Sequence, residues 1–98
     1  MSVTFNEDDL SEVAGLLKAL SNERRLKIVH VLADHEKCVG DLEKIIGLSQ
    51  SALSQHLARL RRDGVVKTRR DAQTIYYSLD CKSSIKVLDC LRSLSDAD

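Results

Sequence analysis

The apolar positions repeat with two different periods, and the change of period divides the chain. Leu10, Val13, Leu16, Leu17 and Leu20 recur at three- and four-residue spacing, which places them on one stripe of an α-helix. Asp8 and Asp9 stand at its start, where carboxylates suit the positive end of the helix dipole. Ser21 or Asn22 is the expected N-cap of a second helix with Leu26, Ile28, Val29, Val31 and Leu32 as its apolar positions. The polar break Asp34-His35-Glu36-Lys37 separates it from a short third helix containing Leu42, Ile45 and Ile46. Gly47 suits the left-handed residue that ends such a helix. Ser49 then caps a fourth, expected to run to about Asp63 and stop at Gly64. Residues 65–70 and 74–79 are instead β-branched and aromatic runs flanking Asp71-Ala72-Gln73, the pattern of a two-stranded hairpin. A last helix begins near Asp80 or Ser83 and spreads Ile85, Val87, Leu88, Cys90, Leu91 and Leu94 over a wide apolar face. The expected fold is mostly helical (α+β), in the order α-α-α-α-β-β-α.

Length bounds what this arrangement can be. The 98 residues fit one domain, expected to span 1–98 with residues 1–7 flexible. Hydrophobic residues make up 43% and charged residues 31%, a globular mixture. With no Trp, one Phe and two Tyr, the core must be aliphatic. So short a chain builds a core but not a deep pocket with its supporting shell, so no enzyme, catalytic residue or cofactor is expected. The acidic start without a long apolar run gives no expectation of a signal or transit peptide. No run approaches the ~18 apolar residues of a membrane span, so a membrane partner is not expected. Three cysteines at irregular spacing do not make a disulfide framework. The expected compartment is a bacterial cytoplasm, at the nucleoid.

The formal net charge of zero conceals a segregation. Residues 1–21 hold Glu7, Asp8, Asp9 and Glu12 against Lys18, a balance of −3. Residues 22–70 hold eleven Lys or Arg against six Asp or Glu, a balance of +5, and residues 71–98 return to −2. A basic centre between acidic ends is either a set of solvated helix faces or the footprint of a polyanion.

The third and fourth helices, joined by Gly47-Leu48-Ser49, have the spacing of a helix-turn-helix, whose second helix enters the DNA major groove. At about 100° per residue, Leu53, Leu57 and Leu60 cluster toward the core. The opposite side shows Ser51, Gln55, Ala58 and Arg62, flanked by Gln50, Ser54 and Arg59, with no acid between Glu43 and Asp63. Gln pairs with adenine in a bidentate way, Arg with guanine, and Ser with several acceptors or phosphates. His56 lies at the border of the two sides, either contacting DNA or bracing the motif. The hairpin extends the surface with Lys67, Arg69, Arg70 and Gln73. It reads as a wing reaching phosphates or the minor groove, and equally as an edge hairpin protected by positive charge.

These residues carry a family resemblance. Residues 17–26 (LKALSNERRL), 39–42 (VGDL), 48–57 (LSQSALSQHL) and 68–77 (TRRDAQTIYY) resemble the ArsR/SmtB family of bacterial winged helix-turn-helix repressors. The likeness covers about residues 10–94 and leans toward the nodulation- and haemolysin-regulator-like members. It implies a homodimer joined through the first and last helices, binding an imperfect inverted repeat in double-stranded DNA and blocking transcription. Leu10, Val13, Leu17, Leu88, Leu91 and Leu94 are the expected interface, being more apolar face than a compact monomer needs.

Many members of the family sense metals. Where an arsenic-type site has Cys-Val-Cys-Asp-Leu-Cys, this chain has Cys38-Val39-Gly40-Asp41-Leu42-Glu43. One thiolate lacks the ligand count of such a site. A second family site uses Asp and His on the last helix, and residues 80–98 contain no His; no metal site is therefore expected. Thiol sensing is the alternative, with Cys38 as the candidate because it opens a short helix after Lys37, surroundings that favour a reactive thiol. Cys90 lies about six residues before the second cysteine of the family's persulfide sensors and is expected to pack in the core or the interface. A winged-helix module that binds protein is the other alternative.

Overall fold

Three helices begin on a side chain that accepts a backbone N–H left unpaired by helix geometry. In the computed structural model, which describes residues 6–80 and 82–96 (backbone alone at 82, 83 and 94–96), Asn6 Oδ1 accepts from Asp9 N at 2.7 Å and starts α1 (Glu7–Leu20). Asn22 Oδ1 accepts from Arg24 N at 2.9 Å and Arg25 N at 3.1 Å and starts α2 (Glu23–Asp34). Of the two cap residues expected there, Asn22 opens α2 while Ser21 closes α1, its hydroxyl donating to Lys18 O at 2.7 Å. Ser49 Oγ accepts from Ala52 N at 3.2 Å and starts α4 (Gln50–Arg62). Between them, α3 (Val39–Ile46) opens on Cys38, whose side chain makes no capping bond, and closes on left-handed Gly47. Of the segment expected to be flexible, Asn6 and Glu7 belong to the start of α1, while 1–5 lie outside the described residues.

The hairpin is β2 (Val66–Asp71) and β3 (Thr74–Leu79), followed by α5 (Lys82–Asp96). Asp71 pairs with Thr74, so the turn is two residues, Ala72-Gln73, one shorter than expected. Such turns need positive φ, and Ala72 supplies it at +57°. A Cβ in that region costs on the order of 1 kcal/mol.

A further strand was not expected. Lys37–Cys38 forms β1 and pairs antiparallel with β3, Lys37 opposite Tyr77 and Cys38 opposite Tyr76. The sheet order is β1-β3-β2, and the chain order becomes α-α-β-α-α-β-β-α. Two residues are too short to show a period of two, which is why the segment reads as a polar break.

The core is aliphatic, as composition requires. Ile28, Val29 and Leu32 of α2 meet Leu42 and Ile46 of α3, Leu53, Leu57 and Leu60 of α4, Ala19 and Leu20 of α1, and Val65 and Val66. Each large side chain so buried stabilises by about 1.5–3 kcal/mol relative to exposure. Helix α2 is the hub, packing against α1, α3, α4, α5 and β3. Arg25 locks the α1–α2 corner by donating Nε to Ala19 O at 2.6 Å, which satisfies a carbonyl at the end of α1.

Candidate nucleic-acid interface

The geometry of α4 follows from its two ends. Gly47, at φ +79°, donates its N–H to Glu43 O at 2.9 Å, and the turn delivers Ser49 as the next cap. Gly64, at φ +75°, ends α4, and Val65 N–H returns to Leu60 O at 2.9 Å. Between these stops Leu53, Leu57 and Leu60 are buried. Gln50, Ser51, Ser54, Gln55, Ala58, Arg61 and Arg62 are exposed, and His56 and Arg59 are half-buried. The outward face is thus polar, rich in small residues and free of acid, which lets the helix backbone approach base edges closely.

The cations around this face divide into those held by the protein and those that are not. Arg59 Nε donates to Asp63 Oδ2 at 2.7 Å, and Arg62 Nε lies 3.6 Å from Asp63 Oδ1. The bond from Arg59 holds the Asp63 carboxyl below its ordinary range. Arg69 Nε donates to Glu36 Oε2 at 2.9 Å and its terminal nitrogen to Oε1 at 2.5 Å. That bond lowers the Glu36 pKa and raises that of Arg69. Lys67 lies 4.0 Å from Asp80. Arg70 and Gln73 are exposed at the wing, and Arg70 makes no ion pair among the described residues.

Arg61 belongs to this surface although the sequence reading left it out. It borders one shallow depression with Ser54, Ala58, Arg62 and Tyr77, and another with Thr68, Arg69, Arg70, Ile75 and Tyr77, so it bridges helix and wing. Its helical angle sets it at the leucine border, and only the position of the wing turns that border into part of the polar surface. On the other flank, His56 is pushed to lower pKa first by burial and then by Arg25 and Arg24 of α2.

The terminal helices present the opposite chemistry. Leu10, Val13, Leu17 and Leu91 remain 52%, 37%, 52% and 54% exposed. Leu88 is half-buried against the core, and the side chain of Leu94 lies outside the described residues. Cys90 is exposed, which removes it from the core of the single chain. A groove between α1 and α5 is lined by Val13, Leu16, Leu17 and Val87. Cys38 is half-buried beside Asp41, Lys44, Ile45 and Tyr76, while Lys37 Nζ turns away to His35 Nε2 at 2.6 Å. Cys81 lies outside the described residues. No described helix is long and apolar enough to cross a membrane.

A capped helix-turn-helix, an acid-free second helix and a hairpin at its flank define a winged helix-turn-helix DNA-binding domain. The family model of bacterial regulatory proteins of the arsR family matches residues 22–68. The transcriptional activator HlyU of Vibrio cholerae is 47% identical over 94 residues, 96% of this chain and 87% of the relative. Its solved structure superposes with a TM-score of 0.85 at 48% identity, covering 91% of this chain and 97% of that one. The biofilm growth-associated repressor of Xylella fastidiosa is 41% identical over 88 residues, 90% of this chain and 77% of the relative. A homodimeric winged helix-turn-helix DNA-binding domain from Mycobacterium bovis matches with a TM-score of 0.81 at 28% identity, over 98% of this chain and 91% of that one. The chain belongs to the ArsR family. It is a DNA-binding transcriptional regulator, not an enzyme.

Proposed function

We propose that the protein is a homodimeric repressor that acts in the bacterial cytoplasm, on the nucleoid, by occupying an imperfect inverted repeat. The acid-free exposed face of α4 carries this reading. Gln50, Ser51, Ser54 and Gln55 read base edges, with His56 at the margin. Arg62, Lys67, Arg70 and Gln73, joined by Arg61, meet phosphates. Arg59 and Arg69 border the same surface while holding carboxylates of the protein. The exposed leucines of α1 and α5 pair two copies, and two-fold symmetry sets the half-sites about one helical turn apart. Relatives are named an activator and a repressor, and the repressor role is the one proposed for this chain. Bound at a promoter, a dimer excludes whatever else would bind there.

Salt titration tests the reading. Binding to a fragment selected from the source genome should weaken steeply as salt rises, because neutralised phosphates release counterions. Undetectable or salt-independent binding to every fragment would overturn it.

A thiol-responsive mode is the second reading, favoured by the pairing of Cys38 with Tyr76 on the strand that carries the wing. Identical DNA binding by reduced, oxidised and persulfide-treated protein would sink it.

A further inference from the structure

Pleat alternation separates two neighbouring arginines of the wing. Arg70 pairs with Ile75 and Arg69 with Tyr76, so their side chains leave opposite faces of the sheet. Arg70 shares its face with Thr68, Ile75 and Tyr77, the side on which Arg61 of α4 lies. On the other face the Arg69 guanidinium lies 4.4 Å from the Tyr76 ring centroid. It then reaches Glu36 with two nitrogens, Nε at 2.9 Å from Oε2 and the terminal nitrogen at 2.5 Å from Oε1. The side chain therefore runs from β2, over β3, to the residue before β1. The two partners are 33 positions apart in sequence.

We propose that Glu36 is a positioning residue for DNA binding: through Arg69, stacked on Tyr76, it ties the wing to the segment entering β1, and Arg69 serves this tie instead of contacting DNA. The proposal rests on the wing contacts described above. Its physical basis is that β1 contributes two residues and the wing tip otherwise hangs on a two-stranded ribbon, which is marginal alone. A bidentate guanidinium–carboxylate pair with a stacked ring is directional and limits the angle at which the ribbon leaves the sheet. The carboxylate also occupies the Nε side edge of the guanidinium and offsets its charge, so less of Arg69 is left for a phosphate.

Glu36→Gln is the decisive variant because two mechanisms predict opposite signs. Removing a carboxylate from a DNA-binding protein strengthens association through the long-range field. Loss of the tie should instead weaken operator binding about two- to fivefold, the range of an exposed pair. The slope of binding against salt should stay unchanged, since no phosphate contact is lost. In an Arg69→Gln background the same change should no longer weaken binding. Amide exchange along β2 and β3 should accelerate in Glu36→Gln while thermal unfolding shows an intact fold. Equal or tighter binding by Glu36→Gln, or a shallower salt slope for Arg69→Gln, would overturn the proposal and make Arg69 a DNA contact. If the wild-type protein bound no fragment, the wing-contact reading would fall on its own. Unchanged amide exchange in Glu36→Gln would then overturn the tie without reference to DNA.

Discussion

The α4–wing surface and the α1–α5 surface are built from opposite materials. The first exposes Gln, Ser, Ala and Arg over a leucine row turned inward. The second leaves Leu10, Leu17 and Leu91 more than half exposed and carries Glu7, Asp8, Asp9 and Glu12 along its first helix. One surface presents hydrogen-bonding groups and positive charge, the chemistry that suits a polyanion. The other offers apolar area that water disfavours and a second copy can cover. Charge follows the same division, which is how a chain with a net charge of zero presents a basic surface once per protomer.

Removing the apolar surface should have the largest effect. Leu17→Asp with Leu91→Asp puts charges into the α1–α5 face, and sedimentation should then report monomers. DNA binding should fall by a factor of about 10² or more, because the second half-site is no longer delivered at high effective concentration. A dimer of unchanged stability would break the division of labour between the two surfaces.

A change on the polar surface should be smaller and of another kind. Gln55→Ala should reduce discrimination between the operator and a base-substituted site by about 1–3 kcal/mol, with little change in affinity for unrelated DNA. Arg70→Ala should weaken binding to all sequences alike and lower the salt slope by about 2 per dimer, close to one phosphate per protomer. Competition assays at two salt concentrations separate the two outcomes. Sequence-dependent loss from Arg70→Ala would move the wing from positioning to base reading.

The smallest effect is on pH dependence. His56, half-buried on α4 near the start of α2, has its pKa pushed below 6.5 by burial and by Arg25 and Arg24. The unfolded chain therefore binds a proton more readily than the folded one. Stability should fall as pH drops below about 6.5 and level off once both states are protonated. His56→Gln should flatten that slope in pH-dependent chemical denaturation. An unchanged slope would remove His56 as its source.

Most of the framework was legible in the sequence because it rests on local chemistry. Ser49, Gly47 and Gly64 sit where caps and left-handed stops were expected, since each effect is decided within one helical turn. What could not be read depends on distant pairing. Strand β1 exists because Tyr76 and Tyr77, nearly forty positions on, offer it a partner. Arg61 joins the polar surface because the wing packs beside it. Glu36, in what read as a polar break, becomes a partner of Arg69 through the folding of everything between them. The pairing of Arg59 with Asp63 and of Arg69 with Glu36 was equally illegible, because a sequence shows a charge but not the carboxylate that holds it.

The two-residue strand has an evolutionary consequence. Chain leaves the sheet at Cys38 and returns to it at Val66, so α3, the turn and α4 form a cassette with both ends fastened to one sheet. Its inner row, Leu53, Leu57 and Leu60, seats it on the core, while its outer row makes no contribution to that seat. Under the function proposed above, exchange of Gln50, Ser51, Ser54 and Gln55 would shift operator preference while both fastened ends stay where they are.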